Sequence, residues 1–469
     1  MPTIMKATAM RKRIFLLLSL ASLVFAETGA QNAAEFETAS EAVANMRIGW
    51  NLGNTLDSNS GDTLNMWIEF WNKGAARTTA KYETAWGQPV TEPELFVMLK
   101  NAGFNAVRVP VTWYPHMEAK FNIKDYGNNK KYWYPSKDDI GTKIDPKWMK
   151  RVRQVVDYVL DAGMYCIINV HHDTGGANTA WILADKNNYA AQKERFGEIW
   201  RQIATEFRDY DEHLLFEGYN EMLDSYRSWC FASYNFPSSD RYNALSAGNS
   251  YTAINNYAQC FVDAVRSTGG NNLTRNLIVS TYGACSGAGT WNTHLTEPLS
   301  KMKVPQDTCP GHIAVEVHTY PDISDINKCR NEVKQMMVGL KVRIADRLGV
   351  PVIIGEWGSA DVDNPDVTIP RSNKLQFATY LVSLAKSYGF GTFYWMGLSN
   401  GDDRSVPKWT EKDLVDAIVK GYYGEGGYDG VGSLREDTPG EYHDLSGRLI
   451  AKPVPGSITI SGGRKYYVK

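Results

Sequence analysis

The sequence predicts an α/β protein whose main body is a (β/α)8 TIM barrel, followed by a short C-terminal β-like tail. Short apolar runs recur eight times between about residues 46 and 395, and amphipathic segments with helical spacing lie between them. Strand–helix alternation indicates a parallel sheet, and eight units is the number that closes the barrel. The alternative is an open doubly wound sheet, but the Gly-rich phosphate loop typical of that fold does not follow the first strand.

The eight candidate strands consist mainly of β-branched, aliphatic and aromatic residues, as expected for strands buried on both faces. The seventh is the clearest, because Val352, Ile353 and Ile354 form an uninterrupted apolar run. In chain order the candidates cover residues 46–51, 106–111, 165–171, 214–221, 277–282, 313–318, 352–356 and 391–395.

The connecting segments carry apolar residues at helical spacing. Pro93 suits the first turn of a helix that ends near Gly103, and Asp145 suits the N-cap of a helix that Gly163 ends. The fifth connection, at about residues 294–302, has the weakest helical pattern. The remaining predicted helices cover about residues 191–210, 252–267, 331–348, 373–388 and 411–423.

The two ends of the chain differ in composition from the barrel. Residues 1–30 are predicted to be a cleaved secretory signal, because the basic triplet 11–13 precedes an apolar stretch at 14–25 that is too short to span a membrane. Residues 31–425 are predicted to form the barrel domain. Residues 426–469 are predicted to form a tail that either resembles a bacterial sorting signal or packs on the barrel as an ordinary hairpin. We therefore expect a secreted or cell-surface protein, a monomer, with no membrane span.

Composition restricts the classes of partner. The 469 residues have a formal net charge of −2, which gives no support to a nucleic-acid or anionic-membrane partner. The 14 Trp and 26 Tyr residues exceed what core packing requires, and the remainder could stack on the apolar faces of sugar rings.

The six cysteines make disulfides feasible but not necessary in an exported protein of this size. Cys230 and Cys285 follow strand ends in neighbouring units, so a bridge between them is feasible. Cys309 and Cys329 flank the sixth strand at opposite ends, about 20 Å apart, too far for one bond.

Two buried strands end in an acidic residue. Glu356 follows the run at 352–355, and Glu221 follows the run at 214–220 together with Asn220. A lone charge in such a place loses its hydration, so packing explains it poorly. Two carboxylates delivered to one end of a barrel are the apparatus of glycoside hydrolysis.

Other polar or aromatic side chains lie at the same strand ends and predict a single rim of functional residues. They are Arg108, His171, His172, His318, Tyr320 and Trp395. Adjacent residues on a strand point to opposite sides, so His171 and His172 should not share a metal ion, and no HxH or HExxH spacing occurs. We predict no metal and no cofactor.

Two long connections, at residues 113–144 and 222–250, follow the second and fourth strands. Both are rich in aromatic residues: Tyr114, Tyr126, Tyr132, Trp133 and Tyr134 in the first, Tyr226, Trp229, Phe231, Tyr234 and Phe236 in the second. They lie on the face of the barrel where sites are built, so we expect them to be functional.

Seven motifs together resemble glycoside hydrolase family 5, the cellulase-containing family. They are NLGNTLD (51–57), AVRVPV (106–111), NVHHD (169–173), GYNE (218–221), VHTYP (317–321), IIGEWG (353–358) and FYW (393–395). The likeness covers about residues 46–423 and is greatest to bacterial endo-β-1,4-glucanases. Met222 follows Glu221 where many members have Pro, which leaves the course of that loop and the substrate subgroup open.

The resemblance implies a retaining hydrolase with Glu221 as general acid/base and Glu356 as nucleophile. Arg108 and Tyr320 would hold Glu356 ionised, and a neighbouring cation is expected to lower the pKa of that carboxyl. His318 would lie beside Glu221. The sugar would be contacted by His171, His172, Asn220 and the platform Trp395.

The predicted function is therefore a secreted endo-β-1,4-glucanase acting on cellulose, mixed-linkage glucan or xyloglucan. The same framework hosts several chemistries by loop variation, so a β-mannanase or xylanase is the alternative. A non-catalytic carbohydrate-binding barrel is disfavoured by the retention of both glutamates together with Arg108, His318 and Tyr320.

Overall fold

The computed structural model describes residues 35–59, 78–125, 131–177, 180–234, 242–359, 369–400 and 404–428, and five short strands within 431–468. Eight parallel strands close into a barrel, in the order β1-β8-β7-β6-β5-β4-β3-β2. The strands are β1 (Gly49–Asn51), β2 (Ala106–Val109), β3 (Tyr165–Asn169), β4 (Leu214–Glu217), β5 (Leu277–Cys285), β6 (Ile313–Thr319), β7 (Val352–Trp357) and β8 (Gly391–Tyr394). The predicted fold class is confirmed.

Except for the first helix, which precedes the first strand, the described helices follow strands and cover the outside of the barrel. They are α1 (Ala39–Met46), α2 (Thr79–Glu83), α3 (Pro93–Ala102), α4 (Pro146–Asp161), α5 (Lys186–Glu206), α6 (Ala244–Arg266), α7 (Glu297–Lys301), α8 (Ile326–Leu340), α9 (Arg371–Tyr388) and α10 (Lys412–Tyr423). The fifth connection contains only a 3-10 turn (Thr293–Thr296) followed by the short helix α7, as its weak helical pattern indicated. Gly103 ends α3 in the left-handed region at φ 106°, which favours glycine.

Three helices begin earlier than their apolar spacing predicted. The side chains of Asp185, Asn243 and Asp325 accept hydrogen bonds from backbone N–H groups in the first turns of α5, α6 and α8. Those first turns are largely exposed and lack the apolar spacing of a packed face, so the spacing did not reveal them, whereas the N-cap residues did carry the signal.

The lower end of the barrel interior is closed by α1. Its buried residues Ala39, Ala42, Val43 and Met46 form an apolar cluster with inward-facing strand residues. These strand residues are Ala106, Tyr165, Ile167, Leu215, Ile278, Ala314, Ile353 and Phe393. Thr38 caps the helix through a reciprocal capping box with Glu41, which fixes where the plug begins.

The connection after β2 contains more regular structure than its sequence indicated. A 3-10 turn (Tyr114–His116) leads into two antiparallel strands, Met117–Asp125 and Lys131–Ile144. The hairpin is tied to α5, because Gln202 accepts from the backbone N–H of Ile144 at 2.9 Å. Tyr126 lies outside the described residues.

The connection after β4 is organised by the buried carboxylate of Asp224. It accepts hydrogen bonds from the backbone N–H groups of Tyr226, Ser228 and Ser233 at 2.6–3.1 Å. Within this connection Phe231 is buried, Tyr226 is exposed, and Phe236 lies outside the described residues.

The described part of the tail forms a five-stranded sheet. Its strands are Val431–Leu434, Tyr442–His443, Leu449–Ile450, Ile458–Ser461 and Arg464–Val468. The predicted secretory signal at residues 1–30 lies outside the described residues. In the described part of the chain, no helix combines the length and the apolar character that crossing a membrane requires.

Candidate active site

Eight of the nine predicted site residues line one cleft of about 930 Å³ at the C-terminal end of the barrel. They are His171, His172, Asn220, Glu221, His318, Tyr320, Glu356 and Trp395. The ninth, Arg108, is fully buried on β2 and bonds to two of the others, Glu356 and Asn220. The structure therefore brings all nine residues together.

The Glu356 carboxylate lies near the end of β7 and is held at both oxygens. Its Oε1 accepts from Arg108 Nη1 at 2.7 Å, and its Oε2 accepts from the Tyr320 hydroxyl at 2.7 Å. Two charge-assisted contacts from different strands leave this carboxylate little rotational freedom.

The Glu221 carboxyl lies in the loop four residues beyond β4, rather than on the strand end itself. Its Oε1 accepts from Nδ1 of His318 at 2.8 Å, and the same nitrogen is 3.5 Å from Oε2 of Glu356. One oxygen of Glu221 and one of Glu356 lie within 4.8 Å of each other. The backbone N–H of Asn220 donates to the Val170 carbonyl at 3.0 Å, which anchors this loop to the end of β3.

Glu217 is the main partner of Arg108 and was not among the predicted site residues. Both carboxylate oxygens of Glu217 accept from the guanidinium at 2.6 Å, and Asn169 donates to Glu217 Oε1 at 2.8 Å. Arg108 thus joins Glu217 to Glu356 beneath the cleft. The sequence did contain a signal for Glu217, because a charged residue that belongs to a buried apolar run loses its hydration and needs a partner.

A second missed carboxylate, Glu316, lies fully buried in the middle of β6. Ser280 on β5 donates to its Oε1 at 2.6 Å, and its Oε2 is 3.1 Å from Nε2 of His318. Gly355 on β7 leaves room for it, because a Cβ at that position would lie 2.1 Å from Glu316 Oε2. The sequence did contain a signal, because this acidic residue lies between Val315 and Val317 in a run predicted to be a buried strand.

The electrostatics of the centre depart from one expectation. Burial raises the pKa of Glu356, and the opposing effects of His318 and Arg108 do not overcome it, so the predicted lowering is wrong. Burial disfavours the charged form of His318, but Glu316, Glu356 and Glu221 outweigh burial and raise the pKa of His318 well above its usual value. At neutral pH the centre therefore contains two cations, Arg108 and protonated His318, among four glutamates.

His171 and Trp395 form one wall of the cleft. Their rings are nearly parallel, at 6°, with centroids 5.7 Å apart. Burial lowers the pKa of His171 well below its usual value, and the nearby His172, Arg108 and His318 act in the same direction, so this imidazole is neutral. A neutral ring beside an aromatic wall is suited to hydrogen bonding with a sugar hydroxyl.

His171 and His172 both lie close to Asp57, which the sequence did not indicate. Ligand atoms of Asp57, His171 and His172 lie within 4.8 Å of one another, although neighbouring strand residues were expected to diverge. The expectation was wrong because β3 ends at Asn169, and strand alternation does not apply beyond it. Glu221, His318 and Glu356 form a second such group. That no metal is required remains a prediction from motif spacing.

Four tryptophans line the cleft: Trp86, Trp229, Trp291 and Trp395. Trp229 and Trp291 are 45% and 58% exposed, so their rings are accessible from the cleft. Trp86 packs edge-on against His172 with ring centroids 5.2 Å apart.

Cys230 and Cys285 also line the cleft, and both are free thiols in the structure. The remaining four cysteines are free as well. The bridge suggested for Cys230 and Cys285 is therefore not present, although burial and the proximity of Cys230 raise the pKa of the Cys285 thiol well above its usual value.

The family model described as cellulase (glycosyl hydrolase family 5) matches residues 71–401. Endoglucanase B of Neocallimastix patriciarum is 31% identical over 399 residues, which cover 81% of this chain and 71% of that protein. A GH5-4 broad specificity endoglucanase from an uncultured bacterium has a similar structure, with TM-score 0.73 and 48% identity over 83% of this chain and 97% of the other. A glycoside hydrolase family 5 enzyme from Prevotella bryantii B14, solved with a xyloglucan tetradecasaccharide, has TM-score 0.67 and 38% identity over 82% and 99% of the two chains.

Proposed function

Because the chain belongs to glycosyl hydrolase family 5, we propose that it is a retaining endo-β-1,4-glucanase in which Glu356 is the nucleophile and Glu221 the general acid/base. One observation carries the mechanism: carboxylate oxygens of Glu221 and Glu356 lie within 4.8 Å of each other. Retaining enzymes have their two carboxyl groups about 5–5.5 Å apart, whereas inverting enzymes need about 6.5–9.5 Å to admit a water molecule.

In the first step, Glu356 attacks the anomeric carbon while Glu221 protonates the departing glycosidic oxygen. The carbon–oxygen bond of the glycoside breaks, and a covalent glycosyl-enzyme forms. In the second step, Glu221, now ionised, takes a proton from water, whose oxygen attacks the anomeric carbon and releases Glu356. Arg108 and Tyr320 orient the nucleophile, since each holds one of its oxygens at 2.7 Å.

The remaining cleft residues position the sugar. Trp395 offers a flat apolar face beside His171, and His172 and Asn220 contribute polar groups to the same cleft. The Asn220 amide oxygen accepts from Arg108 at 2.7 Å, so its amide N–H₂ is directed by that bond and available for a sugar hydroxyl. A hydrogen bond to the 2-hydroxyl would strengthen in the transition state.

The proposed substrates are cellulose, mixed-linkage glucan and xyloglucan. Support comes from the open cleft, from its exposed tryptophans, and from solved relatives described as a broad specificity endoglucanase and as bound to a xyloglucan oligosaccharide. A panel of glucan, xyloglucan, mannan and xylan, with product lengths analysed, tests this. Activity restricted to mannan or xylan would establish the alternative, a β-mannanase or xylanase.

The proposed secretion rests on the basic and apolar pattern of residues 1–30. N-terminal sequencing of protein recovered outside the cell should begin near residue 31. A mature protein that still starts at Met1 would contradict export through this signal.

The stereochemistry of the first product tests the mechanism. Proton NMR recorded before mutarotation should show the β-anomer from a β-glucan. An α-product would make Glu356 a base rather than a nucleophile. Glu221→Ala should retain most of its first-step rate on substrates with an activated phenol leaving group, which needs no protonation, and lose it on glucan.

A further inference from the structure

We propose that Glu316 is a positioning residue that keeps His318 protonated on Nε2 and thereby sets the ionisation of Glu356 at the cleavage point. The inference rests on the roles proposed above for Glu221 and Glu356. Glu316 itself faces the barrel interior below the cleft and does not line it.

The geometry places His318 between carboxylates on both sides of its ring. Nδ1 is 2.8 Å from Glu221 and 3.5 Å from Glu356, whereas Nε2 is 3.1 Å from Glu316. Nε2 of His318 and Oε2 of Glu316 face each other as an ion pair at 3.1 Å, and among the described residues neither atom has a hydrogen-bond partner. The ion pair therefore offsets the burial of these two polar atoms.

The surroundings of Glu316 hold its carboxylate in this place. The residue is fully buried, Ser280 donates to Oε1 at 2.6 Å, and Gly355 removes the Cβ that would occupy the position of Oε2. Burial alone would raise the pKa of Glu316, but His318, Arg108 and Ser280 lower it, so Glu316 is ionised at neutral pH. An ionised acceptor at Nε2 requires a proton on that nitrogen.

The consequence appears on the other side of the imidazole. With Nε2 protonated, Nδ1 is the nitrogen that faces Glu221 at 2.8 Å and Glu356 at 3.5 Å. The charged form also stabilises ionised Glu356, because His318 is the strongest of the neighbours that oppose the effect of burial on the pKa of Glu356. Glu316 thus acts on the proposed nucleophile Glu356 through His318, without touching it.

His318 is surrounded by charged and titratable groups that lie on, or directly after, the strands packed around it. They are Glu316 on β6, Glu221 after β4, Glu356 on β7, Arg108 on β2, His171 after β3, Cys285 at the end of β5 and Tyr320 after β6. Of these, the electrostatic effect of Glu316 is the largest of those that raise the pKa of His318.

The test is the pH profile of kcat/KM for the isosteric variant Glu316→Gln. Loss of the charge on His318 should make Glu356 hold its proton to higher pH, so the acidic limb should move up by about one pH unit. Below that limb kcat/KM should fall about tenfold, and above it the change should be small. A merely structural role would lower kcat/KM by the same factor at every pH.

Two further variants complete the test. Ser280→Ala keeps the carboxylate but removes its donor, so the limb should move in the same direction by less, and this variant serves if Glu316→Gln fails to fold. Asp307→Asn is the matched control: it also breaks a buried ion pair, with Arg266 at 2.7 Å, but outside the cleft. Its acidic limb should stay in place.

A measurement that needs no activity separates this proposal from the proposed function. In ¹⁵N-histidine spectra of the protein, which has eight histidines, His318 should be protonated at neutral pH and become neutral in Glu316→Gln. A His318 that stays protonated in the variant, or an unmoved acidic limb in a folded variant, overturns the proposal. An α-product or an active Glu356→Gln would instead refute the proposed function.

Discussion

The apolar lower end of the barrel interior and its polar upper end are only two residues apart along five of the strands. At the lower end the inward-facing residues are apolar and pack against α1. Two residues further along, on five of the strands, the inward-facing residue is polar or charged. The five pairs are Ala106 and Arg108, Ile167 and Asn169, Leu215 and Glu217, Ile278 and Ser280, and Ala314 and Glu316.

The difference shows how one scaffold separates stability from chemistry. The lower layer needs only volume and apolar surface, since dispersion and the hydrophobic effect are not directional. The upper layer must satisfy every buried charge with a partner, so its members constrain one another: Arg108 needs Glu217, and Glu316 needs both Ser280 and the missing Cβ of Gly355. Substitutions in the two layers should therefore fail in different ways.

The largest effect is expected for Glu356→Gln in the upper layer. It removes the nucleophile but keeps the shape and the hydrogen bond to Tyr320, so turnover should fall at least about 10⁴-fold. Binding of a cello-oligosaccharide, measured by calorimetry, should be largely retained. A variant that loses binding in proportion to turnover would indicate that Glu356 holds the cleft rather than reacts.

Arg108→Met should cost the most stability. It leaves Glu217 and Glu356 buried without their cation, and removing one partner of a buried ion pair costs about 3–5 kcal/mol. Chemical denaturation measures the free energy of unfolding. Stability relative to wild type should recover as the pH falls towards about 4, because the stranded carboxyls, whose pKa burial already raises, take up protons above their ordinary pKa.

Met46→Ala probes the lower layer in the same way. Met46 is buried in the plug, so its truncation should destabilise by about 2–3 kcal/mol, the lower part of the range for such changes because methionine packing is adaptable. Turnover at a temperature where the variant is folded should equal that of wild type. A lower kcat there would mean that the plug transmits strain to the cleft, and the separation of the layers would be wrong.

The sequence predicts the upper layer only where a polar residue ends an apolar run. Glu356 and His171 satisfied that rule, and the strand ends brought their side chains to one cleft as predicted. Glu316 lies inside its strand, and Glu217 lies inside the run predicted to end at Glu221 although the strand itself ends at Glu217; lost hydration is as costly for both as for a residue at a predicted strand end. Reading each buried strand with a period of two would have found both.

Other features depended on distances that spacing along the chain does not give. Cys230 and Cys285 follow neighbouring strands, yet the backbone of Cys230 lies at φ 72° in a loop fixed by Asp224, and both thiols are free. The direction of the pKa shift of Glu356 was also out of reach, because it is decided by how completely the carboxyl is buried. Burial follows from packing in three dimensions.

The smallest effect is expected at the rim, where neither layer extends. Trp291 is 58% exposed and lies within 6.0 Å, between ring centroids, of Phe231 and Tyr234, so its removal should not unfold the barrel. If it stacks on a sugar, Trp291→Ala should lose about 1 kcal/mol of binding, a roughly fivefold rise in KM on long glucan chains. On a short aryl glycoside that reaches only the carboxylates, KM and kcat should both be unchanged. Val406→Ala, an equally exposed apolar residue outside the cleft, is the matched control and should leave KM on both substrates unaltered. An equal rise on the short substrate would place the effect of Trp291 in the layer of carboxylates, and the rim would then be part of the reacting centre rather than an addition to it.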